Sequence, residues 1–272
     1  MRPRVFAHRG ASSDAPEHSF AAYRAAIEQG ADGIECDVRL TADGHLVCVH
    51  DRRVDRTTNS RGVVSTLELA DLAALDFAAR HDEWRDFEDP EEPDHDRSTV
   101  VTLDQLLGLV VDTGRRTEIA IETKHPTRYA GLVERAVVDA LRRFGLAAPS
   151  GQDPTPVFVM SFSWLGLRRV RSLAPRLPTV LLMDRVPLRM RDGGLPVGVS
   201  VAGPSIEIVR AHPTYVERVH RRGNEVFVWT VNHSVDVGTC VDAGADAIIT
   251  DRPGPTLAQL EAGPVPRPRY GS

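Results

Sequence analysis

Seven residues that can carry charge or exchange protons lie in, or directly after, short apolar segments of this sequence. They are two histidines, two basic residues and three carboxylates: His8, His50, Arg9, Lys124, Glu35, Asp37 and Glu122. Carboxylate oxygens bind hard divalent cations, and imidazoles exchange protons near neutral pH. A guanidinium and an ammonium suit a phosphate group. The set therefore favours metal-assisted cleavage of a phosphodiester over a mechanism with a serine or cysteine nucleophile.

Glu35 and Asp37 lie two residues apart in the segment 33–38, which we predict to be a strand. Side chains at this spacing point to the same face, with their bases roughly 6–7 Å apart. Two buried carboxylates side by side need a cation, a basic neighbour or a shared proton. We therefore predict one divalent metal ion at this pair, Mg²⁺ or Ca²⁺. The alternative is the opposite register, with both carboxylates on an exposed edge.

The same spacing recurs at Glu122 and Lys124, which end the apolar run that starts at residue 118. Glu122 is the candidate third oxygen ligand, and Lys124 is a candidate contact for an anionic substrate. A plain surface ion pair between the two is the alternative. His8 and His50 end two further apolar runs, and a pair of histidines suits acid–base catalysis in which one gives a proton and the other accepts one.

Short apolar runs alternate with segments of helical periodicity along the whole chain. We predict strands at 5–7, 33–38, 46–49, 118–121, 157–160, 179–183, 197–201, 225–230 and 247–250. Helices are predicted at 19–29, 103–112, 129–144, 164–173, 214–221 and 236–242. About eight alternations indicate an α/β fold of the (β/α)8 barrel type, in which functional side chains gather at the carboxyl ends of the strands. A doubly wound open sheet is the alternative, disfavoured because no GxGxxG follows the first strand.

Composition excludes several classes of protein. With 272 residues and 42% hydrophobic residues, the chain can form a sizeable core, and its net charge of −5 argues against a dedicated nucleic-acid binder. No apolar run approaches the roughly 18 residues of a membrane span, and the N-terminus lacks a secretory signal, so we expect a cytoplasmic protein. The three cysteines show no CxxC spacing, which argues against a disulfide framework or a cysteine zinc site.

Two segments differ from the rest in composition. Residues 81–96 are acidic and contain proline, which indicates a solvated loop at about 80–98; they lack the glycine and the terminal glutamate of an EF-hand calcium loop. The proline-rich residues 263–272 are expected to form a disordered tail. We therefore expect one domain over residues 1–262.

An ordered series of short motifs gives the sequence a family resemblance. The motifs are AHRG, APE, GADGIECDV, LTADG, VHD and DRTT in the first quarter, followed by IETK, VFVWTVN and ADAIITDRPG. Together they span nearly the whole chain and resemble those of glycerophosphodiester phosphodiesterases. The resemblance implies a TIM barrel that uses a divalent metal to hydrolyse glycerophosphodiesters to sn-glycerol 3-phosphate and an alcohol, through a cyclic phosphate.

The resemblance also implies roles for individual residues. Glu35, Asp37 and Glu122 would hold the metal, His8 and His50 would be the acid–base pair, and Arg9 and Lys124 would bind the phosphate. Glu17 would contact the site, by steering Arg9 or the metal ligands. Trp229 would form a wall of the substrate pocket, with plain core packing as the alternative. Asp251 would either support the site or cap the helix that follows it.

One position departs from the family pattern. His18 stands where the family usually has asparagine. Because asparagine is a good helix N-cap, we expect the change to affect only capping, with Ser19 taking over; a His18 that faces the pocket and alters substrate choice is the alternative.

Two other functions are alternatives to the one that the resemblance implies. They are a lysophospholipase D or sphingomyelinase-D-like enzyme, and a barrel that binds phosphodiesters without cleaving them.

Overall fold

The computed structural model describes residues 2–79, 94–125, 131–149 and 156–263. Its strands are β1 (Arg4–His8), β2 (Gly33–Leu40), β3 (Leu46–Cys48), β4 (Glu118–Thr123), β5 (Val157–Ser161), β6 (Thr179–Met183), β7 (Val201–Pro204), β8 (Glu225–Val228) and β9 (Ala247–Thr250). Its α-helices are α1 (Phe20–Glu28), α2 (Leu69–Ala73), α3 (His95–Ser98), α4 (Leu103–Val111), α5 (Leu132–Arg143), α6 (Trp164–Leu173), α7 (Ile206–Ala211), α8 (Thr214–His220), α9 (Ser234–Ala243) and α10 (Pro253–Ala262).

Eight of these strands form a closed parallel ring. The ring runs β1, β2, β4, β5, β6, β7, β8 and β9, and it closes because β1 pairs with β2 on one side and with β9 on the other. Closure confirms the predicted (β/α)8 barrel in a single domain and excludes the open doubly wound sheet. The short strand β3 lies outside the ring, antiparallel to the end of β2.

Alternation of side chains along the strands divides the core into an inner and an outer layer. In the inner layer, the rings of Phe6, Phe158 and Phe227 pack with centroids 5.0–6.2 Å apart. The guanidinium of Arg4, at the start of β1, lies 4.8 Å from the centre of the Phe227 ring. The barrel is thus filled at the amino ends of its strands, which leaves the carboxyl ends for a site.

Most predicted elements agree with the structure to within a few residues, but one strand is misplaced. We predicted a strand at 197–201, whereas β7 starts at Val201. Gly198 has a φ of +88°, and the Val197 side chain is 93% exposed, so the chain before Val201 is a turn. Helices α7 and α10 were not predicted, and the strand predicted at 46–49 belongs to a hairpin outside the ring.

The two segments of unusual composition fall largely outside the described residues. Of the acidic loop predicted at about 80–98, residues 80–93 are not described, and residues 95–98 form the short helix α3, capped by the Asp94 side chain. The predicted tail at 263–272 lies outside the described residues except for Gly263. Within the described ranges, the helices are all too short or too polar to cross a bilayer.

Gly10 makes the turn that carries the chain from the end of β1 toward α1. Its φ is +85°, and an added Cβ would lie 2.6–2.8 Å from three atoms of Ala22 in α1. We expect Gly10→Ala to lower the free energy of unfolding by about 2–4 kcal/mol, from backbone strain together with the overlap. Urea unfolding measures the loss.

Gly44 provides the matched control, because its φ is +88° and an added Cβ would meet nothing within 4 Å. We expect Gly44→Ala to cost only the backbone part, about 1–2 kcal/mol. If the two variants lose the same free energy of unfolding, backbone conformation alone requires the glycine at position 10, and packing of the β1 turn against α1 does not.

Candidate active site

A pocket opens at the carboxyl ends of the barrel strands and has two unlike sides. One side is charged and the other is mainly apolar. The charged side consists of His8, Arg9, Glu35, His50, Glu122 and Lys124, and the other side of Met160, Phe162, Leu182, Trp229, Thr230 and Ile249. Seven of the nine predicted site residues thus line one pocket, and the other two, Asp37 and Glu17, contact residues of its charged side.

The three predicted ligand carboxylates come from two neighbouring strands. Glu35 and Asp37 point inward from β2, and Asp37 is paired in register with Glu122 of β4. One oxygen from each of Glu35, Asp37 and Glu122 lies within 4.8 Å of the others, and all three side chains are buried. The alternative register, with Glu35 and Asp37 on an exposed edge, is therefore wrong.

The carboxylates have different proton affinities because their neighbours differ. Burial and the charges of Asp37 and Glu122 raise the pKa of Glu35 well above its usual range. Burial and the charge of Asp37 raise the pKa of Glu122 to about 8. Although burial acts in the opposite direction, the hydrogen bond with His18 and the charge of Lys124 hold the pKa of Asp37 well below its usual range. The cluster thus binds protons readily when no cation compensates its charge.

The donor set fits a hard divalent cation. Its members are all carboxylates, which are the ligands that Mg²⁺ and Ca²⁺ prefer. Lys124 Nζ lies 2.9 Å from Glu122 Oε1 and 3.1 Å from Asp37 Oδ1, so one positive group already contacts two members of the cluster. Asp37 Oδ1 is buried, and its close contact among the described residues is the ion pair with Lys124 rather than a well-aligned hydrogen bond, which leaves a lone pair for a metal.

Each pocket histidine is backed by a carboxylate. His8 Nδ1 donates to Asp251 Oδ1 at 2.6 Å, and His50 Nδ1 donates to Asp51 Oδ1 at 2.7 Å. A carboxylate can only accept here, so each Nδ1 carries the proton and each Nε2 is left to exchange protons with a substrate. Burial, together with the charges of Arg9 and Lys124, lowers the pKa of His50 to about 4. His50 is therefore neutral at pH 7 and can accept a proton.

Further hydrogen bonds fix the orientation of the groups that hold the histidines. Asp251 accepts from Asn232 Nδ2 at 2.5 Å and from Ser12 Oγ at 3.0 Å. The backbone carbonyl of His50 accepts two hydrogen bonds from the Arg39 guanidinium, at 2.7 and 3.0 Å. Asp251 therefore supports the site and does not cap α10, whose N-cap residue makes no side-chain capping bond.

Arg9 lies between the metal-ligand candidates and a second acidic group. Its Nε is 3.1 Å from Asp37 Oδ2, and its Nη1 donates to Glu17 Oε1 at 3.1 Å. Its backbone N–H donates to Glu35 Oε2 at 3.0 Å. Its φ is +58°, a backbone conformation that residues other than glycine rarely adopt. Glu17 thus contacts Arg9, which is one of the two groups that it was expected to steer.

The apolar side of the pocket is built around Trp229. The indole Nε1 donates to the Gly203 carbonyl at 2.6 Å, and the ring packs on the inner layer of the barrel core. Phe162, at the end of β5, meets the Trp229 ring edge to face at 5.4 Å and is 47% exposed. Trp229 therefore lines the pocket and also packs on the core, and its contact with a substrate stays a prediction.

His18 does more than alter capping, so our expectation for it was only half right. Ser19 caps α1 by accepting from the Ala22 N–H, as expected. The His18 ring, however, is buried between Asp37 Oδ2 at 3.0 Å and the Tyr23 hydroxyl at 2.8 Å. The φ of His18 is +62°, a conformation in which asparagine is also common. His18 thus orients a metal-ligand candidate from behind.

Sequence reasoning missed several residues that support the site. Asp51 could have been found, since it directly follows the predicted histidine in VHD. Arg56 ends a short 3₁₀ turn and Asn232 and Phe162 lie on loops, where no periodicity marks a functional position.

Comparisons of the sequence and the fold with known proteins give concordant matches. A family model described as "Glycerophosphoryl diester phosphodiesterase family" matches residues 8–255. A Mycobacterium tuberculosis protein named "Probable glycerophosphodiester phosphodiesterase 1" is 46% identical over 96% of this chain and 93% of its own. A Caldanaerobacter subterraneus glycerophosphodiester phosphodiesterase is 33% identical over 93% of this chain and 96% of its own. The solved structure of an Oleispira antarctica phosphodiesterase in complex with sn-glycerol-3-phosphate superposes with a TM-score of 0.81 at 23% identity, covering 96% of this chain and 97% of the other.

Proposed function

We propose that this chain, which belongs to the glycerophosphoryl diester phosphodiesterase family, cleaves glycerophosphodiesters to sn-glycerol 3-phosphate and an alcohol with one divalent metal ion. Membership makes the chain a phosphoric diester hydrolase and sets aside the idea of a barrel that binds without turnover. The observation that supports the finer proposal is one pocket lined by two carboxylate-backed histidines, an arginine, a lysine and two members of a buried cluster of three carboxylates.

Glu35, Asp37 and Glu122 are the residues that would hold the metal, because they are the three buried carboxylates whose oxygens come together among the described residues. A divalent cation at this point would supply positive charge to the phosphate oxygens as negative charge builds up on them. Mg²⁺ and Ca²⁺ both suit these ligands.

Arg9 and Lys124 would bind and orient the phosphate. Glu17 and Asp37 hold the Arg9 guanidinium on two sides, so that it is pre-organised, and Lys124 Nζ is fixed by Glu122 and Asp37. A bound phosphate would then meet two positive charges without further ordering of the side chains.

The two histidines would divide the proton transfers. His50 is neutral at pH 7, so its Nε2 can accept the proton of the substrate hydroxyl that attacks phosphorus. Asp251 fixes the His8 ring through Nδ1, and the Nε2 of His8 would donate a proton to the departing alcohol oxygen. Attack by the glycerol hydroxyl of the substrate itself would give a cyclic phosphate, because a hydroxyl held next to phosphorus has a high effective concentration. Water would then open the ring, with the two histidines in exchanged roles.

Release of sn-glycerol 3-phosphate from glycerophosphocholine tests the function. We expect turnover with added Mg²⁺ or Ca²⁺, and loss of turnover in EDTA that either metal restores. Turnover that persists through exhaustive chelation would contradict the metal requirement. A panel of glycerophosphodiesters with different alcohols would then define the head-group preference.

Lysophospholipids belong in the same panel, because the exposed Phe162 and the Trp229 ring give the pocket an apolar side that an acyl chain could contact. Cleavage of lysophospholipids in preference to deacylated diesters would favour the lysophospholipase D alternative. The cytoplasmic location and the domain boundaries of 1–262 stay predictions, which cell fractionation and limited proteolysis would test.

A further inference from the structure

We propose that Arg56 is a positioning residue that orients both the phosphate-binding Arg9 and the proton-transferring His50, through one carboxylate on each side. This inference rests on the roles proposed above for Arg9 and His50. Arg56 is absent from the pocket lining, so any effect on the reaction must pass through its neighbours.

Arg56 connects two separate loops at the mouth of the barrel. It ends the short 3₁₀ turn Val54–Arg56, which follows the β2–β3 hairpin. Its Nη1 and Nη2 each donate to one oxygen of Glu17 at 2.7 Å, and its Nε donates to Asp51 Oδ2 at 2.5 Å. Glu17 lies on the loop after β1, so one guanidinium spans both loops.

On one side, the hydrogen bonds from Arg56 fix Glu17, the carboxylate that holds Arg9. Glu17 Oε1 accepts from both Arg56 Nη2 and Arg9 Nη1, so the two guanidinium groups share one oxygen. Despite burial, the hydrogen bonds from Arg56 and neighbouring positive charge lower the pKa of Glu17 to about 2, which keeps it ionised. A planar guanidinium bound through two nitrogens allows a carboxylate little freedom to rotate. Without Arg56, Glu17 would no longer be held in the plane that meets Arg9.

On the other side, the contact fixes the carboxylate that holds His50. Asp51 uses Oδ1 for His50 Nδ1 and Oδ2 for Arg56 Nε, so its two oxygens have different partners. Although burial acts in the opposite direction, the hydrogen bonds from Arg56 and His50 lower the pKa of Asp51. Loss of Arg56 would free Asp51 to rotate, and the imidazole would lose its fixed direction.

A purely structural role for Arg56 predicts a different outcome. Its side chain is 48% exposed, and exposed ion pairs contribute little to stability, usually below about 1 kcal/mol. Loss of the arginine should therefore leave the fold nearly unchanged while two functional groups lose their orientation. Supporting contacts of this kind typically change affinity or activity by about 10–100-fold.

Arg53, three residues before Arg56, offers a matched control for the loss of an arginine at this place. It is similarly exposed, and its Nε binds both oxygens of Asp55, a carboxylate that contacts neither histidine nor Arg9 among the described residues. Arg53→Gln thus removes the same charge and a similar ion pair from the same loop. Arg56→Lys is the conservative variant, which keeps the charge but cannot reach both carboxylates with a planar fork.

The experiment measures kcat and KM for glycerophosphocholine, the Kd of sn-glycerol 3-phosphate and of inorganic phosphate by calorimetry, and Tm. For Arg56→Gln we expect kcat to fall about 10-fold and Kd for both ligands to rise about 10-fold, with Tm near that of the parent. Arg56→Lys should recover part of both losses, and Arg53→Gln should match the parent. In the double variant Arg56→Gln with Glu17→Gln, the effect on Kd should be less than the product of the single effects, because both act through Arg9.

The proposal would be overturned if kcat, KM and Kd of Arg56→Gln stayed within twofold of the parent. It would also be overturned if the change in Kd of the double variant equalled the product of the two single changes. A lower Tm with unchanged kcat and Kd in the folded protein would assign Arg56 to stability alone. If Arg56→Gln does not fold, Arg56→Lys decides by the same measurements. Failure of the proposed function is distinguishable: the parent would then release no sn-glycerol 3-phosphate, while the Kd for inorganic phosphate would still report on Arg9.

Discussion

Replacement of His50 by glutamine is expected to lower kcat by about 10²–10⁴-fold, the range found for loss of a general acid or base. Glutamine keeps a polar side chain of similar length but cannot take up a proton near neutral pH. His50 is not part of the carboxylate cluster, so the affinity for the metal should change by less than about threefold. Single-turnover kinetics, together with a calorimetric metal titration, separates the two effects.

His45 is the control for this experiment. It lies in the β2–β3 hairpin, is exposed, and pairs only loosely with Asp43 at 3.6 Å. His45→Gln should have the kinetics of the parent. A rate near that of the parent in His50→Gln would remove His50 from the proton transfers, whereas a loss of metal affinity would show that it acts on the metal instead.

Replacement of Glu35 by glutamine is expected to weaken metal binding at least about 100-fold, beyond the effect typical of residues that merely support ligands. Glutamine fits the same space but removes one of three converging negative charges. Turnover at low metal concentration should fall in parallel, and excess metal should restore part of it. Calorimetry on the metal-free protein gives the affinity without any activity measurement.

Metal affinity should also depend on pH in a defined direction. The pKa of Glu122 in the metal-free protein is raised to about 8 by burial and the charge of Asp37. Below that pH a proton competes with the metal for the cluster, and above it the ligand is free. The apparent affinity should therefore rise by about tenfold per pH unit for each proton displaced as the pH increases from 6 to 8.

Glu118 is the control for the Glu35 variant. It is a buried carboxylate at the opposite end of β4, where it pairs with Arg4 at 2.9 Å. Glu118→Gln should reduce stability without changing metal affinity. Equal metal affinity in Glu35→Gln and the parent would exclude Glu35 as a ligand.

The barrel and the ends of its strands could be predicted because both depend on local pattern. The runs 179–183 and 247–250 are continuous apolar segments, and they form β6 and β9 with the predicted bounds. Since parallel strands present their carboxyl ends at one edge, polar residues at those ends must meet. That rule alone brings together His8, Glu35 and Glu122.

The remaining features depend on contacts between loops, on which periodicity has no bearing. Nothing in the sequence pattern indicates that Arg56 reaches Glu17, 39 residues away along the chain. The position of His18 behind Asp37 depends on a left-handed backbone conformation, which is uncommon outside glycine and which no sequence periodicity marks. The start of β7 was missed because Gly198 turns the chain within an apolar run.

The β2–β3 hairpin has a consequence for how this site can diverge. Strand β3 pairs with the extension of β2 and takes no part in the ring, so the rules that couple strand number to barrel closure do not constrain it. His50 directly follows this hairpin, whereas the carboxylates come from ring strands. Evolution can therefore lengthen or reshape the rim segment that carries His50, the proposed acid–base group, while the cluster of candidate metal ligands stays unchanged. New substrate preferences could arise by this route at little cost to the stability of the barrel.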